Sequence, residues 1–400
     1  MTGRSAAIVA IGLAVSSGAG CDRKPEDVPV HLSAGAMREI LKLSPLPAIP
    51  PSPTNAVADN AAAALLGQRL FFDPRLSANG KISCATCHDP AHGFADPKPL
   101  SVGLGVTERH TMPLWNVAHQ RWFFWNGRAD SLWAQAIHPL LHPAEMGSSP
   151  EHLLAVLSGD GALKSGYEAI FGPLPADAKA RTAAADRLLS NFGKAIEAYQ
   201  RRIISTGSLF DRFVAALRQG RVPDASAMIS EAAQRGLELF TGRGRCVLCH
   251  AGPTFSDGEF HNIGLPAAFD QGRFEGILEV RDDRFNGLGA LSDDRSPETN
   301  IKLRYLVVKP NHLGEFKTPT LRNVAQTAPY MHDGRFATLR DVLDFYSDLP
   351  DQPVFGHREE TLQAGHFTEE EKADLEAFLQ SLTGAPLHES LTRPPGDGSK

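Results

Sequence analysis

Cysteine is scarce in this sequence, with five in 400 residues, too few to staple a chain of this length through a disulfide framework. No long hydrophobic run is present. The one pronounced apolar stretch, Ala6–Val15, falls short of the ~20 residues that a membrane-spanning helix needs. Basic residues are not gathered into a patch, and the net charge of −6 comes from acids and bases mixed along the chain. That excludes a nucleic-acid footprint. Strict strand alternation is rare, so the fold is expected to be mostly α. No short repeat occurs that would build a solenoid. A chain of 400 residues, 42% hydrophobic and 22% charged, reads as a folded soluble protein too large for one ordinary core.

The N-terminus starts short and basic (Met1–Arg4), turns apolar, and ends small and polar at Ser16–Gly20. That order outlines a secretory signal over residues 1–20, and places the mature chain in the periplasm. Cys21 follows directly, as at a bacterial lipoprotein cleavage site, but without the leucine usual three residues upstream. Two fates stay open: a lipid anchor on Cys21, or a soluble periplasmic protein.

The other cysteines, Cys84, Cys87, Cys246 and Cys249, form two pairs with two residues inside each, followed at once by His88 and His250. Cys-x-x-Cys-His is the attachment pattern of c-type haem. Two thioethers hold the haem vinyl groups from one short turn, and the adjacent histidine ligates the iron. The second axial ligand, hydrogen bonds and burial tune that iron. Zinc uses similar donors, but two copies in an exported chain, each with its own histidine, favour two covalently bound haems.

Each motif follows a helical run, Ala61–Phe72 and Ala225–Phe240, with an apolar stripe at helical spacing. Residues 21–58 read as an extended, proline-rich lead-in. Two cytochrome c-like domains are expected at 59–220 and 225–385, with a disordered tail at 386–400. Ala184–Phe213 reads as one long amphipathic helix, and Gly264–Lys309 as a long loop at the second motif. Thr368 and Glu371 form a capping box ahead of Leu375, Phe378, Leu379 and Leu382.

Three further blocks, FFDPRLSANGKISCATCHDP, FFWNGRADSLWAQAIHPLLHPAEM and FKTPTLRNVAQTAPYMHDGRFATL, carry a family resemblance over roughly Leu65–Leu382. The chain resembles the bacterial di-haem cytochrome c peroxidases and their MauG relatives. The resemblance implies that the haem on Cys84, Cys87 and His88 receives hydrogen peroxide, and that the haem on Cys246, Cys249 and His250 receives or shares electrons. Glu145 matches the family's catalytic glutamate, Gln135 its pocket glutamine, Pro139 its pocket proline, and Trp125 its tryptophan between the haems. Asn126 stands where the family usually has Asp.

Two departures separate the chain from peroxidases that need reductive activation. Their first haem is capped by a histidine in a Gly-His-Gly loop, and here the loop reads Gly103-Leu104-Gly105. Leucine cannot ligate iron, which leaves His110 and His92 as the only nearby substitutes. Fourteen residues after His332, where those peroxidases place a methionine ligand to the second iron, stands Tyr346, as in MauG. Met331 is the rival ligand. The family also implies calcium, held by the carbonyls of Thr327 and Pro329 and an asparagine whose place His110 takes. Three readings stand at this point. One is peroxide reduction with a small periplasmic cytochrome c or a cupredoxin as donor. The second is peroxide-driven oxidation of side chains of a partner protein, and the third a non-catalytic electron carrier. Monomer and homodimer are both compatible with the sequence.

Overall fold

The computed structural model describes residues 30–265, 270–350, 353 and 356–396, so the signal and Cys21 lie outside the described residues. Helices dominate, and polar caps start them. Asn60 accepts from the amides of Ala62 and Ala63 to open the Ala61–Phe72 helix. Ser230 opens Glu231–Thr241, and Thr368 and Glu371 cap each other reciprocally on Glu369–Ser381. Each cap satisfies amides that have no partner within the helix. Among the described residues the only sheet is one antiparallel pair, Phe260–His261 against Phe316–Lys317.

Two hydrophobic cores give two cytochrome c-like halves. The first gathers residues between Leu66 and Ile203, with Phe285 added. The second gathers Ala36, Ile40 and Leu43 with residues between Phe210 and Leu382. In each half, the helix ahead of the Cys-x-x-Cys-His motif crosses another helix at a glycine. A Cβ on Gly67 would lie 1.8 Å from the carbonyl oxygen of Ala195, and one on Gly236 would lie 1.9 Å from that of Asp374. Neither gap admits a carbon atom, so glycine is what lets the Ala61–Phe72 and Glu231–Thr241 backbones touch their partners, Ala183–Gln200 and Glu369–Ser381.

Four stretches depart from the sequence-based expectation. The lead-in contains the Ala34–Ile40 helix, capped by Ser33, and its Ala36 and Ile40 enter the second core. One apolar turn among prolines leaves little periodicity to read. The long helix at Ala184–Phe213 is broken into Ala183–Gln200 and Leu209–Arg218. Between them the Asn116 side chain holds Ser205, accepting from its amide at 2.8 Å and donating to its carbonyl at 3.1 Å. Phe210, Phe213 and Val214 belong to the second core, so the chain changes core ahead of residue 220, the expected end of the first domain. The expected loop at Gly264–Lys309 contains the Arg273–Asp282 and Ile301–Arg304 helices. The described part of the tail crosses back onto the first half, where Tyr199 donates to Leu391 O at 2.6 Å and Gln68 to Arg393 O at 2.8 Å.

Candidate functional site

Both haem motifs are closed in the same way. The amides of His88 and His250 each bond the carbonyl of the first cysteine of their motif at 2.9 Å. His88 Nδ1 lies 3.1 Å from Phe94 O, and His250 Nδ1 lies 2.9 Å from Phe255 O. Both phenylalanines have positive φ, 55° and 52°, which turns their carbonyls back toward the imidazole. A carbonyl fixes the proton on Nδ1, leaving the Nε2 lone pair for a metal. Burial lowers the pKa of His88 to about 4 and lowers that of His250, which favours the neutral ring that ligation requires. The four cysteines are free of disulfides. These residues fit two covalently held haems.

The second motif opens into a cavity lined by Cys246, Cys249, His250, Tyr346, Met331 and Trp125, with apolar walls from Phe240, Leu343 and Leu375. Tyr346 is carried by the Leu339–Asp348 helix. Burial raises the pKa of its phenol, so it ionises only when a cation faces it. Thus Tyr346 and Met331, the two rival ligands, share this cavity. Beside Cys249, His261 is held between two carboxylates, with Nε2 2.8 Å from Asp257 and Nδ1 2.9 Å from Glu359. Asp257 first, with Glu359, holds its pKa above the ordinary imidazole value. Cys249, Asp257 and His261 are the only group of three with metal-ligating donors close together among the described residues. Haem attachment already accounts for Cys249.

Near the first motif, the loop carrying Leu104 lies on the segment carrying Glu145. The Leu104 amide donates to Glu145 O at 3.0 Å and the Gly105 amide to Ala144 O at 2.9 Å. Burial raises the pKa of the Glu145 carboxyl, opposed by His142, Arg128 and His138. His142, which the sequence did not single out, lies 3.7 Å from that carboxylate. Gln135 sits on the Leu132–Leu141 helix, and its Oε1 is buried without a partner. A buried orphan acceptor needs an explanation, and a donor such as water or peroxide supplies one. Pro139 lies in the same helix, and its carbonyl accepts from Met146 at 3.1 Å.

Neither substitute histidine is at the Leu104 loop. His92 is exposed and pairs with Asp89 at 2.7 Å. His110 is buried, with Nδ1 3.1 Å from both Lys98 O and Pro99 O, and it lines the second cavity. Its carbonyl accepts from Trp125 Nε1 at 2.8 Å, and burial lowers the pKa of its imidazole. Asn126 is fully buried; its Oδ1 accepts from the Arg128 amide at 3.2 Å and its Nδ2 has no partner. Calcium takes oxygen donors. At the expected asparagine place the His110 side chain offers only nitrogen, so of the three expected donors only the Thr327 and Pro329 carbonyls are oxygens.

The model of the family described as di-haem cytochrome c peroxidase matches residues 61–219. The methylamine utilization protein MauG of Methylorubrum extorquens is 34% identical over 334 residues, covering 82% of this chain and 80% of that protein. The cytochrome-c peroxidase IdrP1 of Denitromonas iodatirespirans is 33% identical over 364 residues, covering 89% and 90%. Among solved structures, a MauG-like protein associated with microbial copper homeostasis superposes with a TM-score of 0.65 at 28% identity, covering 88% of this chain and 97% of that one. The diheme peroxidase BthA from Burkholderia thailandensis gives a TM-score of 0.63 at 25% identity, covering 82% and 87%. With the paired haem motifs, their matching proximal imidazoles and relatives aligned along most of its length, this chain belongs to the di-haem cytochrome c peroxidase family that includes MauG.

Proposed function

We propose that the chain reduces hydrogen peroxide at the haem held by Cys84, Cys87 and His88, with electrons arriving through the haem held by Cys246, Cys249 and His250. The bound haems supply the redox chemistry. Glu145 carries the proton from one peroxide oxygen to the other, so that water leaves rather than hydroxide. Burial favours its protonated form, which suits a group that must give a proton as well as take one. Gln135 orients peroxide through its unpartnered Oε1, and Trp125 relays electrons between the halves. The observation that carries this reading is the pairing of an aliphatic Leu104 loop with the half-buried Glu145 segment beside the first motif. Leu104 cannot ligate iron, so the fully oxidised enzyme should react with peroxide without prior reduction. The test is one equivalent of peroxide added to the oxidised protein and to Glu145→Gln. Wild type should change spectrum at once, and the variant should keep both haems but turn over ~100-fold more slowly or worse. An oxidised protein inert until reduced, or an unimpaired variant, overturns the proposal.

Tyr346 in the second cavity favours a second mode, in which peroxide drives oxidation of side chains on a partner protein. A phenolate is a harder donor than a thioether and holds the second iron at lower potential. In the first mode a small periplasmic cytochrome c or a cupredoxin serves as donor. In either mode the work is periplasmic, with the chain free or anchored through Cys21.

A further inference from the structure

Trp122 and Trp125 stand three positions apart and are both nearly buried, at 5% and 8% exposure, yet their electrostatic surroundings are opposite. The Arg273 guanidinium lies 4.3 Å from the Trp122 ring centroid, and the Lys302 ammonium lies 4.7 Å from it. The same guanidinium lies 4.0 Å from the Phe260 ring. Carbonyls hold both cations. Arg273 donates to Gly127 O at 2.9 Å and Asn126 O at 3.2 Å, and Lys302 donates to Asp130 O and Arg121 O, both at 2.5 Å. Neither forms a salt bridge with a carboxylate among the described residues; Asp130 acts on Lys302, and Glu259 and Glu315 on Arg273, only from beyond contact. Burial lowers the pKa of Arg273 only to about 10 and that of Lys302 only to about 8, leaving both charged at neutral pH.

Trp125 has no cation over its ring among the described residues. Its indole N–H donates to His110 O at 2.8 Å, and it meets His332 edge-on at 6.4 Å between ring centroids. A carbonyl at the indole N–H favours a ring that has lost an electron. Two cations over a ring do the reverse. They stabilise the neutral indole through its quadrupole and repel the positive charge that oxidation would create. Both effects at Trp122 have the same sign.

We infer that Arg273 and Lys302 shield Trp122 from oxidation, so that electrons drawn toward the first haem leave through Trp125. The second half of this statement rests on the reading of Trp125 as relay; the first does not. Shielding matters because the loss it prevents is irreversible. With peroxide as oxidant, an indole C–H becomes C–OH and the second peroxide oxygen leaves as water, so the ring loses two electrons and the peroxide gains them. Arg273 and Lys302 are thus specificity-determining residues for the electron route, and they touch neither haem motif.

The experiment uses the two-haem protein, a modest excess of peroxide and no electron donor, followed by peptide mass spectrometry. In wild type the peptide bearing Trp122 should stay unmodified. In Lys302→Met and Arg273→Gln it should gain one oxygen, with a yield at least ~10-fold higher. Lys302→Arg keeps the charge and should keep the shielding. Haem content and circular dichroism confine the comparison to folded protein. If Trp122 is hydroxylated equally in wild type and both variants, if neither variant raises its yield, or if Lys302→Arg behaves as Lys302→Met, the inference is overturned. Trp125→Phe separates the two claims. If electrons pass between the haems at the wild-type rate in that variant, the relay reading fails, and the yields at Trp122 still decide the shielding.

Discussion

Substituting alanine at Gly67 should separate two helices that the fold holds in backbone contact. The added methyl would lie 1.8 Å from Ala195 O and 2.4 Å from Ala195 C. Both are main-chain atoms that no rotamer change can move. Relief requires the Ala61–Phe72 and Ala183–Gln200 helices to part along their whole seam, which lies in the first core. Overpacking of a core costs ~1–3 kcal/mol, and a backbone clash belongs at the upper end. The helix propensity gained by replacing glycine with alanine returns at most ~1 kcal/mol. A net loss of about 2 kcal/mol follows from these two terms. At ~2–4 °C per kcal/mol for a unit of this size, the melting temperature should fall by about 4–8 °C. Gly166→Ala is the control. It is also helical, but its nearest neighbour would be Leu66 Cδ1 at an ordinary 3.7 Å, so it should be neutral or stabilising by up to ~1 kcal/mol. Thermal denaturation followed at the haem band and by circular dichroism reads both. If Gly67→Ala melts with Gly166→Ala, the close crossing does not constrain the first half and the reasoning fails.

Tyr346→Phe should alter the spectrum of the second haem alone, and Tyr346→Met should raise its potential; unchanged spectra in Tyr346→Phe would transfer the ligand role to Met331. Asp211→Asn should destabilise the second half by ~3–5 kcal/mol in denaturant titration. Asp211 accepts from Arg322 at 2.9 and 3.0 Å and from Ser44 at 2.7 Å, and Arg322 is only 2% exposed. Burial alone would raise the Asp211 pKa, but Arg322, Ser44 and Ser208 outweigh it and the net shift is downward. A folded pKa below the ordinary ~3.9 means this contribution is complete above that value and lost as pH falls through the folded one. Wild type should therefore lose stability in that acid window more steeply than Asp211→Asn, and parallel curves would remove Asp211 from the account.

The two haem-attachment motifs are legible in the sequence because covalent attachment dictates their spacing, and the Thr368 cap because its partners are local. What escaped depends on contacts distant in sequence. Asn116 fixes the break between Gln200 and Leu209 by bonding Ser205, and nothing near either helix end announces it. The Arg273–Asp282 helix was read as loop because the face it buries consists of Arg273, Gly276, Ile277 and Val280, which is not an apolar stripe. Gly276 is needed there because a Cβ would lie 2.0 Å from Asn126 O. His142 was visible three residues before Glu145, but its relevance follows from the turn that brings the two side chains together. The carbonyls of Phe94 and Phe255 had a readable signal, a phenylalanine shortly after each haem histidine, whose meaning depends on a backbone twist that sequence does not display.

The likeness of the two proximal sides has a consequence for how one chain keeps two unlike irons. His88 and His250 both lean on a phenylalanine carbonyl, at 3.1 and 2.9 Å, so imidazole basicity is set almost equally in both halves. The halves differ beside those imidazoles, since only the second carries His261 between Asp257 and Glu359. They differ also in the side chains proposed for each site, Leu104, Glu145 and Gln135 in one and Tyr346 in the other. On that reading, two halves with the same proximal bond differ in role through the side chains around it, and not through the Phe94 and Phe255 carbonyls.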